Sequence, residues 1–140
     1  MINAARVQRP AGNSLPNLIE GYAAVFGSPD LSGDVIRAGA FSRSLRAGAP
    51  PMLLQHRSGA IAGRWVRLTE TGHGLFVRGL IESETAAKLA RDGLNGLSIG
   101  FRPRVWTARA AGGRLLADID LVEVSLVAEP MQPAARFQLM

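Results

Sequence analysis

LSIGFRPRVWTARAAGGRLLADIDLVEVSLVA, residues 97–128, is the stretch on which the fold turns. Leu97, Ile99 and Phe101 alternate with Gly96, Ser98 and Gly100, the period of two that places successive side chains on opposite faces of a strand. Leu97–Val105 and Leu115–Ala128 therefore read as strands, turning at Ala111-Gly112-Gly113. In the second, Ile119, Leu121, Glu123 and Ser125 share one face, and Asp118, Asp120, Val122, Val124 and Leu126 the other. Upstream, Ser83 is a good N-cap, Glu84 suits the first helical turn and Gly93 is a natural stop, so Glu84–Asp92 is expected to be a helix. Before it, Gly63–Thr69 and Leu75–Glu82 read as a hairpin across Thr71-Gly72-His73-Gly74, and Met52–His56 as another strand. A short helix is expected over Ala40–Arg46, stopped by Gly48, Pro50 and Pro51. Ile19–Phe26 reads as the first strand, followed by the turn-rich SPDLSGD, residues 28–34. Pro10, Gly12, Asn13 and Pro16 mark residues 1–17 as a flexible lead-in, leaving 18–140 as one domain. About six strands and two short helices imply an α+β, β-rich class: an antiparallel β-barrel or strongly curved sheet with peripheral helices.

The bulk numbers narrow the function. A chain of 140 residues has room for one core. It is 47% hydrophobic, yet no apolar run approaches the roughly 20 residues of a membrane span. MINAARVQRPAGNS at the start lacks the apolar stretch of a secretion signal, so a soluble intracellular protein with no membrane partner is expected. Without cysteine there is no disulfide, no thiolate nucleophile and no zinc–thiolate site. The net charge of +5 comes almost wholly from arginine, Lys88 being the single lysine. Those arginines are scattered, whereas a dedicated DNA binder concentrates its charge on one face, so no specific nucleic-acid partner is expected. A β-barrel that binds single strands would need aromatic platforms along a basic groove. Aromatics make up 6% of the chain, and Trp65, Trp106, Phe76 and Phe101 do not interleave with basic residues.

Three polar residues in apolar frames carry the chemistry: His56 ending PMLLQH, Ser98 inside GLNGLSIGF and Glu123 inside DIDLVEVSLV. A serine hydroxyl is a poor nucleophile near neutral pH. It needs an imidazole to take its proton, and usually a third group to hold that imidazole in the right tautomer. Ser98 points away from the apolar face of its strand, and its neighbours on that face are glycines, which leave room for a substrate backbone. The competing reading is a serine on the wet face of an ordinary strand. His56 stands at a strand end before Arg57-Ser58-Gly59, where an imidazole can lean over a groove; His73, between glycines at a hairpin tip, is read as an exposed turn residue. Glu123 is the only charged side chain in Leu121–Val127, and a carboxylate in such surroundings needs a partner. An imidazolium would serve, as would a structural ion pair to an arginine, and Asp120 is the fallback acid.

The chain also resembles a known family. GYAAVFGSPDLSGDVIRAGAFSRSL (21–45), LLQH (53–56), GLFVRGLI (74–81), GLNGLSIGF (93–101) and VEVSLVAEPMQPAARF (122–137) follow one another as in the prohead maturation proteases of tailed bacteriophages. The resemblance runs from about Glu20 to Phe137. It implies a herpesvirus-protease-like fold, since these enzymes are similar to the assemblin proteases, β-barrels wrapped by helices. It implies a serine endopeptidase with Ser98 as nucleophile, His56 as base and Glu123 where assemblins carry a third catalytic histidine. It further implies substrates in a scaffold protein or the scaffolding segment of the major capsid protein, cleaved inside the immature shell in the host cytoplasm, and self-cleavage afterwards. No metal or organic cofactor is implied. With the chain ending at Met140, no built-in scaffold domain is expected. Two departures stand out. Family members often carry an acidic residue directly after the histidine, and here it is Arg57. Assemblins have adjacent arginines near the oxyanion, where this chain has Glu129-Pro130-Met131-Gln132; the backbone N–H of Met131 and the Arg102 side chain are the candidates for that role. The alternative to an enzyme is a capsid-assembly factor that keeps the fold without the chemistry.

Overall fold

The computed structural model describes residues 17–140; most of the expected lead-in over 1–17 lies outside them. The order is β1 (Asn17–Val25), β2 (Val35–Ile36), α1 (Ser42–Leu45), β3 (Met52–Leu54), β4 (Ile61–Glu70), β5 (Gly74–Ile81), α2 (Glu84–Arg91), β6 (Gly96–Ala108), β7 (Arg114–Val127) and β8 (Phe137–Leu139). The deciding stretch forms the longest ladder, with β6 antiparallel to β7 from Gly96 opposite Val127 to Ala108 opposite Arg114. The expected hairpin is β4–β5. Ser83 caps α2 through its hydroxyl, which accepts from Ala86 N–H at 3.2 Å, and Ala86, Ala87 and Ala90 bury its inner face.

Two parts of the expected architecture need correction. The sheet is mixed, not antiparallel: β3 and β2 both run parallel to β7. Antiparallel partners can be joined by tight turns, whereas a parallel partner must be reached by a long crossover. β7, at 14 residues, is long enough to take β2 beside Leu115 and Leu116 and β3 beside Val124–Leu126 on one edge, with β6 along the other. Nor is the sheet a closed barrel. Its path runs β2-β7-β3-β4-β5-β1-β8 with β6 on β7, and β6 meets the approach to β8 only through an isolated bridge between Gly96 and Arg136. The sheet curls until its ends nearly meet and leaves a gap between β6 and β1. β2 and β8, two and three residues long, are too short to show a period of two, and were not expected.

The interior of the curl is apolar, with Ile19, Leu75, Leu97, Leu116, Val124 and Leu126 fully buried. Trp65 joins them and donates its indole N–H to Val124 O at 3.2 Å, fastening β4 to β7. The β1–β2 loop is clasped to the β6–β7 turn. Asp34 accepts from the Arg114 guanidinium at 2.6 and 3.2 Å and from Arg114 N–H at 2.9 Å. The two backbones touch there: a Cβ on Gly113 would stand 2.1 Å from Gly33 O, so the approach requires glycine.

Candidate active site

β3 ends at Leu54, and the next two residues are left-handed, Gln55 at φ 54° and His56 at φ 61°. Such conformations cost about 1–2 kcal/mol each for ordinary L-residues and persist only where their surroundings impose them. Here Gln55 N–H donates to Leu126 O at 2.9 Å, Gln55 Oε1 accepts from Ala128 N–H at 3.2 Å, and Arg57 N–H returns to Leu54 O at 3.1 Å. The chain is thereby turned back over β7. His56 is outside the strand expected for it, on the tight turn that follows.

That turn brings His56 Nδ1 to 2.9 Å from Glu123 Oε2 and 3.1 Å from Oε1. A carboxylate can only accept, so Nδ1 carries the proton and Nε2 of the neutral ring is left as the basic nitrogen. The imidazole is 41% exposed and the Glu123 side chain 12%, so the ring faces the surface while its partner is held beneath it. Glu123 has a second support. The hydroxyl of Ser125, a residue with no exposed surface, donates to Glu123 Oε1. Glu and Ser two residues apart on a strand share a face; that i,i+2 spacing was visible in VEVSLV, but no role was read into it.

Ser98 sits on the neighbouring strand. In the β6–β7 ladder Ser98 is opposite Ser125 and Gly100 opposite Glu123, so all four lie on one face. Ser98 is 3% exposed, and its Oγ has no hydrogen-bond partner among the described residues. The structure thus joins His56 to Glu123 and sets Ser98 on the same face with its hydroxyl uncommitted. It corrects the reading of the flanking glycines, which do not stand open for a substrate. A Cβ on Gly100 would lie 2.5 Å from Glu123 Oε2 and one on Gly96 2.5 Å from Val127 O. Gly100 is the space into which the Glu123 carboxylate folds.

The remaining candidates are placed as follows. Asp120 accepts from Arg43 at 2.6 Å and Arg104 at 3.4 Å, and the Arg43 hydrogen bond, helped by Arg104, holds its carboxyl below the usual carboxylate range. Its partners are these arginines and not His56. Arg102 is exposed and opposite Asp120. Met131 and Ser98 both line a cavity in the gap between β6 and β1, and Met131 O accepts from Leu31 N–H at 2.8 Å. No cluster of three His, Asp or Glu side chains among the described residues is placed to hold a metal, and no helix there is long and apolar enough to cross a membrane.

The chain is similar to known proteins at three levels. A sequence model of the family described as caudovirus prohead serine protease matches residues 4–140. The prohead protease of Enterobacteria phage HK97 is 31% identical over 99 residues, a stretch covering 64% of this chain and 44% of that protein. The chain therefore spans less than half of that relative. Among solved structures, the bacteriophage T4 capsid assembly protease superposes with a TM-score of 0.63 at 13% identity, covering 86% of this chain and 87% of that one. The KSHV protease in complex with a hexapeptide phosphonate inhibitor gives 0.60 at 16% identity, covering 88% and 64%. At such identities the structural likeness speaks for the fold: a β-rich curled sheet with few short helices, similar to the herpesvirus proteases.

Proposed function

The chain belongs to the caudovirus prohead serine protease family, and on that premise we propose that it is a serine endopeptidase of capsid maturation. The observation that supports the reading is the His56–Glu123 pair, with Glu123 on the same strand face as Ser98, whose buried hydroxyl has no hydrogen-bond partner among the described residues. Ser98 Oγ adds to the scissile carbonyl carbon while its proton passes to His56 Nε2. The C–N bond then breaks, and the imidazolium protonates the departing amine. Water, deprotonated by the same nitrogen, releases the acyl group and restores Ser98. Glu123 fixes the tautomer of His56 and stabilises the imidazolium, and Ser125 fixes Glu123. The oxyanion is assigned to the backbone N–H of Met131, a residue that lines one cavity with Ser98, with Arg102 as the second candidate. The step needs no metal or organic cofactor.

The substrates are scaffold protein or the scaffolding segment of the major capsid protein, cut inside the immature capsid in the bacterial cytoplasm, and the enzyme cuts itself once they are consumed. The test is intact mass spectrometry of the capsid protein after co-expression with this chain. Wild type trims it at a discrete site, and Ser98→Ala and His56→Ala leave it whole. Trimming absent in all three would mean an assembly factor that keeps the fold without the chemistry, or a different substrate, and trimming unchanged in both variants would remove Ser98 and His56 from the site.

A further inference from the structure

His56, Ser98 and Glu123 belong to β6, β7 and the turn after β3, whereas a second concave surface is built on β1, β5 and β8. This groove, of about 420 Å³, is lined by Glu20, Tyr22, His73, Phe76, Arg136 and Gln138 among others. Strand register assembles it. Arg67, Arg78, Glu20 and Gln138 stand opposite one another across β4, β5, β1 and β8, and Thr69, Phe76 and Tyr22 form the row beside them. Residues two apart on a strand share a face, so both rows lie on one side of the sheet. The alternate positions, Ile19, Leu75 and Val77, turn into the core.

The floor of the groove is aromatic. Tyr22 packs edge-on against His73, with ring centroids 4.7 Å apart, and against Phe76 at 5.6 Å; its hydroxyl is fixed 3.0 Å from Thr71 Oγ1. Charge around this floor is unevenly compensated. Glu20, the one carboxylate among the described residues of the lining, accepts from Arg78 at 2.7 and 3.0 Å, so those two charges cancel. Arg67, whose guanidinium lies 5.7 Å over the Phe76 ring centroid, donates to Thr69 Oγ1 at 3.3 Å. Arg136 donates to Pro133 O at 3.0 Å and to Asn95 Oδ1 at 2.8 Å. Neutral acceptors hold these two guanidinium groups in place without cancelling their charge. An occupant thus meets aromatic rings flanked by two uncompensated cations.

We propose that this groove docks an acidic segment of a partner protein, which seats an aromatic or aliphatic side chain against Tyr22 and Phe76 while its carboxylates meet Arg67 and Arg136. Charge complementarity selects the segment, and burial of the apolar side chain against the rings anchors it. A nucleic acid would satisfy the same cations, but its bases need open ring faces on which to stack. Tyr22 meets its two aromatic neighbours at 77° and 71°, and Arg67 lies over Phe76, so the floor offers ring edges in place of a stacking platform. The docking surface stands whether or not Ser98 is the nucleophile.

The test is isothermal titration of the full chain, carrying Ser98→Ala so that no peptide is cut, with three short synthetic peptides: glutamate alternating with phenylalanine, glutamate alternating with serine, and lysine alternating with phenylalanine. The glutamate–phenylalanine peptide should bind, and more weakly as salt screens its charges; the other two should bind at least tenfold less tightly. Arg67→Glu and Arg136→Glu should each lower its affinity at least tenfold, the scale of one charge-assisted hydrogen bond, with circular dichroism unchanged. Arg136→Lys, which keeps the charge, should retain most of the affinity. Arg91→Glu, an equal change of net charge on α2, should leave binding as it was. Failure of the glutamate–phenylalanine peptide to bind overturns the proposal. Equal binding of the glutamate–serine peptide removes the aromatic anchor, and an equal loss in Arg91→Glu reduces the effect to diffuse attraction; either overturns it. Tighter binding of a single-stranded oligonucleotide at the same arginines overturns it in favour of nucleic acid.

Discussion

At the scale of single residues, the site depends on two positions that touch no substrate. Gly100 gives up its Cβ volume to the Glu123 carboxylate, so Gly100→Ala must push that carboxylate away from His56. Peptidase kcat should fall by about two orders of magnitude, the scale on which loss of a positioned general base is felt, while circular dichroism shows the fold retained. Ser125→Ala leaves Glu123 Oε1 without its buried donor. A kcat about tenfold lower at unchanged KM is expected, with Ser125→Thr restoring part of it, alongside a stability loss of about 1 kcal/mol in urea unfolding. His56, Ser98 and Glu123 could be singled out from the sequence because each is a polar residue in an apolar frame. Ser125 could not, since a serine two positions from a glutamate has many uses and only the fold reveals the donor. The left-handed pair Gln55–His56 was hidden for a different reason: neither residue type marks such a turn as glycine or asparagine would.

At the scale of elements, the clasp between the β1–β2 loop and the β6–β7 turn makes a pH-dependent contribution. The Arg114 guanidinium depresses the Asp34 pKa, so the stabilisation is fully present above the unfolded-state value of about 3.9 and is lost as pH falls through the lower folded-state value. Arg114→Ala should cost about 2 kcal/mol at pH 7, less than a fully buried pair because the arginine is partly exposed. Its deficit relative to wild type should shrink on acidification below about pH 4 in thermal melts, the region where an aspartate loses its charge. The long, regular elements were legible: β6, β7, the β4–β5 hairpin and α2 have clear periodicity or caps. The parallel neighbours of β7 were not, because pairing partners distant in the chain leave no local trace, and β2 and β8 are shorter than one period of the signal.

At the scale of the molecule, the described residues form a curled and incompletely closed sheet that holds a buried serine beside a cavity. The β-rich class with peripheral helices was legible in the order of elements; closure and strand direction were not, being set by how far apart segments lie when the curl completes. That long-range pairing also governs assembly. The contact between His56 and Glu123 depends on β3 docking parallel to β7, a join between segments some seventy residues apart in which no hairpin can help, and non-local pairings of this kind form late and slowly. Trp65, whose indole bonds to Val124 O on β7, reports the neighbouring step. On dilution from denaturant, peptidase activity should therefore return no earlier than the Trp65 fluorescence change, while helical signal from α2 can precede both; activity ahead of that change would sink the argument. Under the proposed mechanism, a chain in which β3 has not yet docked on β7 would have its serine, its histidine and its glutamate but not the His56–Glu123 contact, so a pairing between distant segments would hold back hydrolysis until that join is made.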